Sequence, residues 1–377
     1  MKRLKLFLLA ILMIISSLTF AQNNDKVKVS GFVQGLYQVN AEDEDNVNNS
    51  FRMRRVRLSV SGDLNEIISY KIQGDFGSSP MLVDAYVKAK FNDAFAVQFG
   101  QFKLPFSIES PINPVDLEAI DYGDVISKLV GYSDVCGQGS LGRDLGIMFT
   151  GKFIPMGSED KKFYLLDYSV GIFNGTGPYK LYNDDKNKIK TENEDNNNEK
   201  EIVGRLNIHP IKAVTASVSY YNGHYGADIL KRNRLGFGAE YNDNKIVART
   251  EFIMGETGKK QNVYDQTVTD SIIGSEVTSF DSFGMYSVAG YWFDFECGKN
   301  AMRLLPFIRY DYFAKDVDAK TGDYGMYTLG FDFRPYKFLS LKMNYQFKQE
   351  TIFKSGSTTD TKLDDTHIFK CMVSFKF

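Results

Sequence analysis

Leu339-Ser340-Leu341-Lys342-Met343-Asn344-Tyr345-Gln346-Phe347-Lys348 sets an apolar residue against a polar one at every step. Successive side chains of a strand point to opposite faces, so the stretch predicts a strand with one oily face and one polar face. The same pattern returns in Gly325, Tyr327, Leu329, Phe331 and Phe333 against Tyr324, Thr328, Asp332 and Arg334, and in Val214, Ala216, Val218 and Tyr220 against Thr215, Ser217 and Ser219. Along the whole chain sixteen such segments can be marked, at roughly 26–38, 51–63, 67–76, 82–91, 95–103, 143–154, 162–174, 200–209, 212–222, 232–241, 244–255, 282–295, 301–315, 323–334, 338–350 and 366–377.

The connections carry separate information. They include a short set, Asn65-Glu66, Asn92-Asp93-Ala94, Pro210-Ile211, Asn242-Asp243 and Pro335-Tyr336-Lys337, and a long set, 39–50, 104–142, 175–199, 256–281 and 351–365, alternating in order along the chain. Membrane barrels have short periplasmic turns and longer external loops. Sixteen strands with both termini in the periplasm put every short turn on the periplasmic side. A soluble sandwich shares the two-residue period but has no reason to keep that parity. Charges run along whole polar faces, and Tyr and Phe gather near segment ends, as in Tyr37, Tyr70, Phe91, Tyr241, Tyr310 and Phe347. Both features suit a barrel with aromatic girdles, oily side chains outward and polar ones inward. The expected fold is therefore all-β: a transmembrane antiparallel up-and-down β-barrel of about 16 strands.

The ends fit this reading. Lys2, Arg3 and Lys5, then the apolar run Leu6 to Ile15, then small residues up to Ala21, have the layout of a secretory signal peptide. The domain plan is 1–21 signal peptide and 22–377 barrel. The apolar run is shorter than the roughly 20 residues a spanning helix needs. Removing three basic residues takes the formal charge from −2 to −5, which argues against nucleic-acid binding. At the other end Phe369, Cys371, Val373, Phe375 and Phe377 share a face, and a last strand closing on an aromatic residue resembles the signal read by the barrel insertion machinery. Membrane lipid and lipopolysaccharide are the expected surroundings, and the outer membrane of a Gram-negative-type cell the expected location. Cys136, Cys297 and Cys371 match no metal or redox spacing, and no cofactor or metal site is expected.

Lumen candidates follow from parity. The basic ones are Arg55, Arg57, Lys71, Lys88, Lys90, Arg205, Arg234, Arg249, Arg303, Arg309, Lys342 and Lys348. The acidic ones are Asp75, Asp84, Asp167, Glu240, Glu251, Asp294, Asp311 and Asp332. The wall leans positive, yet these charges equally suit cross-strand pairing without selectivity. Phe51-Arg52-Met53-Arg54-Arg55-Val56-Arg57-Leu58 carries four Arg in six residues. Arg55 and Arg57 share the inner face with Ser59 and Ser61, whereas Arg52 and Arg54 fall on the other parity and are expected at the external rim. An Arg fork suits phosphate and carboxylate oxygens, so the segment reads either as an anion-attracting ladder or as a rim that binds lipopolysaccharide phosphates or pairs with loop acids. Loop 104–142, the third external one, contains Leu117, Ile120, Val125, Ile126, Leu129 and Val130, too apolar for a solvated loop. It is expected to fold inward, with short helical pieces near 115–121 and 123–130. The tracts 183–201 and Glu42 to Asp45 read as solvated external loops.

Three motifs together, Phe51–Leu58, Gly100-Gln101-Phe102-Lys103-Leu104-Pro105-Phe106-Ser107-Ile108-Glu109 and Arg143-Asp144-Leu145-Gly146-Ile147, resemble the phosphate-selective porin O and P family. That resemblance implies a 16-stranded trimeric porin with an inward-folded third loop and Arg and Lys at a constriction that pass anions such as phosphate. Carried onto this chain, it marks Arg55, Arg57 and Lys103 as anion contacts; Lys71, Lys88 and Arg205 join the expected pathway from strand parity and match no motif of the family. Glu109, Arg143 and Asp144 become anchors of the constriction loop. The expected function is a water-filled channel for passive diffusion of small polar solutes, anions foremost. A channel for sugars or organic acids, using Tyr86, Tyr221 and Tyr286 as stacking surfaces, is the alternative. An enzyme in a barrel is the remoter one: a Ser–His arrangement needs a His beside the nucleophile, and only His209, His224 and His367 exist. A closed structural barrel is weakened by the lack of any plug or peptidoglycan-binding sequence.

Overall fold

The computed structural model describes residues 27–41, 47–77, 80–136, 140–158, 162–175, 180–183, 189–192, 197–226, 228–264, 272–298, 300–354 and 356–377. Residues 1–21, expected to be a signal peptide, and the acidic run Glu42 to Asp45 lie outside the described residues, as does much of 183–201.

Sixteen strands form one antiparallel sheet: β1 Val27–Ala41, β2 Val47–Asp63, β3 Ile68–Asp75, β4 Met81–Lys90, β5 Ala96–Lys103, β6 Arg143–Met156, β7 Phe163–Phe173, β8 Glu201–Ile208, β9 Val214–Asn222, β10 Leu230–Asn242, β11 Ile246–Tyr264, β12 Ile272–Tyr291, β13 Asn300–Ala314, β14 Tyr324–Tyr336, β15 Leu339–Phe353 and β16 Thr361–Lys376. Short pieces His224–Tyr225 and Phe293–Cys297 continue β9 and β12. Each strand pairs with its neighbour in the chain, and β1 closes on β16 with Phe32 opposite Lys376 and Ala41 opposite His367. Closure removes every edge, so no backbone N–H or C=O along the seam faces lipid unpaired. The last residue completes it: Phe377 and Gly31 exchange backbone hydrogen bonds of 3.0 Å in both directions.

The faces are inverted relative to a soluble protein. On β13 and β14 Ile308 and Leu329 are more than half exposed, while the neighbouring Arg309 and Thr328 are buried. Phe99, Val218, Phe237 and Val373 point outward in the same way, and Gln98, Ser219, Arg234 and Ser374 inward. The arrangement is favourable only if the outside meets hydrocarbon, where an Arg or Lys near the midplane would cost about 2–4 kcal/mol. Aromatics line the ends of the outer face, with Phe91–Phe95, Phe153–Tyr168, Phe295–Phe333 and Tyr336–Phe338 stacked near short turns.

Two sequence expectations shift. The predicted loop 256–281 is largely strand, because β11 and β12 stay paired from Thr257–Phe280 out to Tyr264–Ile272. A ladder needs only backbone partners, so it continues where the oily alternation fades. Of the two helical pieces expected in 104–142, one forms, α1 Asp124–Leu129, while 115–121 is a series of turns.

Candidate functional site

The four-arginine segment sits on β2 and contains an irregularity that parity cannot reveal. Gln34 of β1 lies opposite Arg55, but Gly35 lies opposite Met53, so Arg54 is an extra residue. Such a β-bulge lets two residues oppose one and breaks the alternation of faces. Arg52 then stands opposite Leu36, whose side chain is buried, and Met53 turns outward. Arg54 pairs with Asp121 of the 104–142 segment, the loop-acid pairing expected on the second reading of this stretch. Arg52 remains exposed and bonds Gln38 at 3.2 Å.

The 104–142 segment draws polar partners from much of the wall. Arg205 of β8 donates to the Ser107 carbonyl, and Ser219 of β9 accepts from Ser107 N–H at 3.1 Å. Glu251 of β11 accepts from Ser107 Oγ at 2.8 Å and from the N–H groups of Ile108 and Glu109 at 2.6 and 3.1 Å. Lys342 of β15 donates to the carbonyls of Val115 and Leu117. Arg249 of β11 meets Glu118 at 2.6 Å, and Asp121 joins Lys370 of β16 at 2.7 Å. Asp311 of β13 accepts from Asp124 N–H at 3.0 Å, and Asp134 takes Arg232 of β10 at 2.9 Å. Apolar side chains fill the space between: Leu117, Val125, Ile126 and Leu129 pack with Tyr221, Ile253, Tyr286, Phe307 and Phe313 in one buried cluster. Burial alone would raise the Glu118 and Asp121 carboxyls. The cations facing them outweigh it, Arg249 for Glu118 and Arg54 with Lys370 for Asp121, and hold both below the usual range.

Strands β2–β6 face the 104–142 segment across a cavity. This cavity of about 250 Å³ is lined by Arg57, Lys71, Lys103 and Arg143, the carboxylate Asp84, the amides Gln73, Gln98 and Asn113, and the apolar surfaces of Tyr86, Phe102, Pro111 and Pro114. Arg57 gives its Nε to Asp75 at 2.8 Å and stands over the Phe32 ring at 5.6 Å. Asp84 is shared by Arg143 at 2.7 Å and Lys71 at 3.0 Å. Lys103 donates to the carbonyls of Ser110 and Ile112 and to Tyr122 Oη, with 3.0 Å to Ile112 and 3.1 Å to Tyr122. These contacts bring Arg57, Lys71, Lys103 and Arg143 to one place.

The remaining sequence candidates lie elsewhere. Arg55 donates to Gln34 at 3.0 Å and has no carboxylate within 4.0 Å among the described residues. Lys88 is half-buried, and its charged neighbours are Lys152 and Lys90, so cations continue from the cavity toward the short-turn end. Arg205 is engaged by the Ser107 carbonyl. Glu109 is buried and accepts from Gly123 N–H at 2.7 Å, with Arg249 at 3.5 Å and Arg309 at 3.6 Å. Asp144 accepts from Leu145 N–H at 2.7 Å and from Gly175 N–H at 2.6 Å, in the next external connection. His209 bridges Asp167 at 2.6 Å and Thr215 at 3.0 Å, tying β7 to β9.

Sequence reading missed the carboxylates that answer the arginines from the 104–142 segment, Glu118, Asp121 and Asp134. Each is an ordinary surface residue type, and only the fold brings it to its cation. Trp292 was missed too: the lone Trp has Arg303 at 4.4 Å and Arg334 at 4.9 Å from its ring centroid, two cation–π contacts near the short-turn end.

The family model described as phosphate-selective porin O and P matches residues 27–377. No curated protein matches the chain. Among solved structures, an anion-selective porin from Comamonas acidovorans is similar, with a TM-score of 0.59 at 12% identity, covering 93% of this chain and 99% of that one. OmpF of Salmonella typhi, solved with daunomycin, gives 0.58 at 12%, covering 94% and 99%. The outer membrane channel DcaP of Acinetobacter baumannii gives 0.56 at 14%, covering 93% and 97%.

Proposed function

The chain belongs to the phosphate-selective porin O and P family, and we propose that the outer-membrane channel it forms passes small anions in preference to cations. The observation that carries this reading is an imbalance in how lumen charges are satisfied. Inner carboxylates Asp75, Asp84, Asp311 and Asp332 each face a guanidinium or ammonium, and Glu251 is held by backbone N–H groups. Arg55 and Lys88 have no carboxylate within 4.0 Å among the described residues, and the cavity beside them is lined by four cations and one carboxylate. An excess of fixed positive charge over a wet lumen draws anions and repels cations. The Comamonas porin that shares this fold is anion-selective, which agrees with the reading.

In this reading the 104–142 segment folds into the lumen and narrows it, leaving the path along β2–β6. Partners on β2, β5, β8, β9, β10, β11, β13, β15 and β16 support that course, since they draw the segment toward widely separated strands of the wall. Residues 1–21 act as the leader, the termini face the periplasm, Phe377 is read by the insertion machinery, and exposed Arg52 meets lipopolysaccharide phosphates. The protein works as a homotrimeric channel and not as an enzyme: His209 is occupied in joining Asp167 to Thr215 across three strands. The test is the reversal potential of single channels in a potassium chloride gradient. A potential of the sign set by chloride is expected, and one set by potassium overturns the reading.

A further inference from the structure

The cavity between β2–β6 and the 104–142 segment is more particular than an anion-attracting wall requires. Its four cations look suited to a highly charged oxyanion until their hydrogen atoms are assigned. A lysine ammonium has three donors, and those of Lys103 go to the Ser110 and Ile112 carbonyls and to Tyr122 Oη. Arg143 directs Nε to Asp84 and Nη1 to the Leu141 carbonyl. Lys71 gives one hydrogen to Asp84, and Gln73 gives its amide to Ser59. Arg57 commits only Nε, to Asp75. The largest uncommitted donor set is therefore the terminal pair of Arg57, a planar fork that matches the two oxygens of one carboxylate. Asp75, paired with Arg57, and Asp84, which lines the cavity and is paired with Arg143 and Lys71, disfavour a second negative charge on the guest.

The rest of the cavity is not built for a bare ion. Its volume of about 250 Å³ is several times the roughly 30 Å³ share of a water molecule in the liquid. Its apolar lining comprises the Tyr86 ring, which meets Phe102 edge-on at 6.0 Å, together with Pro111 and Pro114. Tyr86, Phe102, Pro111 and Pro114 thus set flat apolar surface among eight polar and charged lining residues, a mixed wall that offers an organic guest a face a bare ion would leave unused. Resting on the anion-channel reading, we infer that this cavity takes an organic monoanion with a carboxylate head and a ring-shaped or flat apolar body, in preference to inorganic phosphate. The carboxylate sits on the Arg57 fork, and the body lies against Tyr86 and the two prolines.

The experiment is block of chloride current through channels of the full mature chain in planar bilayers, with benzoate, acetate or inorganic phosphate added on one side at pH 7. Benzoate is expected to half-block at a concentration about tenfold below acetate, the factor an aromatic contact supplies, and below phosphate. Arg57→Gln raises the half-blocking concentration of both carboxylates. Tyr86→Ala raises that of benzoate and brings it close to acetate. Tyr86→Leu keeps volume without the ring and serves if the alanine variant does not assemble. Phosphate blocking at equal or lower concentration than benzoate overturns the inference, as does benzoate ranking with acetate in the unaltered channel. Either result in a pore that still prefers chloride leaves the anion-channel reading standing, whereas a potassium-selective pore removes both.

Discussion

Arg249 and Glu118 lie 131 residues apart in the chain and meet at 2.6 Å, both buried. Arg249 also reaches Glu240 at 3.0 Å on its own sheet and Glu109 at 3.5 Å. One guanidinium thus fastens the 104–142 segment to β11 at two points. Breaking a buried pair from one side leaves an uncompensated charge, which costs about 3–5 kcal/mol.

Arg249→Ala should therefore loosen the segment while the barrel, held by its closed ladder, stays folded. Single-channel conductance is expected to rise and grow noisier, with the strand signal in circular dichroism unchanged. Unaltered conductance would mean the segment does not depend on this residue.

Arg55→Ala and Arg57→Ala both remove an inner cation, but with different consequences. Arg57 shields Asp75 at 2.8 Å, whereas Arg55 bonds only an amide. Losing Arg57 deletes a positive charge and uncovers a negative one, so its reversal potential should move further toward potassium than that of Arg55→Ala. Adding Asp75→Asn to Arg57→Ala should return part of the shift. Equal shifts for the two single variants would refute the pairing argument.

Acid should reach the segment late. Glu118 and Asp121 are held below the ordinary carboxylate range by Arg249, and by Arg54 with Lys370. A depressed folded-state acid stabilises fully above its unfolded value, near 4, and loses that contribution only as pH falls through the lower folded value. The conductance change that Glu118→Gln and Asp121→Asn abolish is expected only below about pH 4. A midpoint above about 5 would show that these carboxylates titrate without their cations.

Gly31 is a test of closure. A Cβ there would come within 2.6 Å of the Phe377 ring and collide with the Arg57 carbonyl. Gly31→Val should reduce the yield of folded barrel in detergent refolding, and Gly35→Val, at a position where a Cβ meets nothing within 4 Å, should not. Similar yields for both would rule out crowding at the seam as the cause.

How much of this was legible beforehand follows from what each feature depends on. Strand Leu339–Phe353 was readable because burial of one face and lipid on the other enforce a period of two. The outer reach of Ile246–Tyr264 was not, because beyond the membrane both faces meet water and the alternation carries no signal. Arg57, Lys71 and Lys103 could be proposed as neighbours from parity and motif. That Lys103 would be consumed by the Ser110 and Ile112 carbonyls could not, since the path of residues 104–142 is set by contacts with strands far along the chain. Asp144 bonding Gly175 rather than that segment is of the same kind. Arg54 shows the limit most sharply, because one unpaired residue reverses the side on which everything before it falls.

That surplus residue makes the inner electrostatics of the channel a matter of counting as well as of composition. Excising position 54 would leave Met53 opposite Gly35 and Arg52, Arg55 and Arg57 on their present faces, yet remove the bulge and with it the cation that reaches Asp121. Relatives that gain or drop a single codon here would thereby acquire pores of different permeability from nearly the same amino acids.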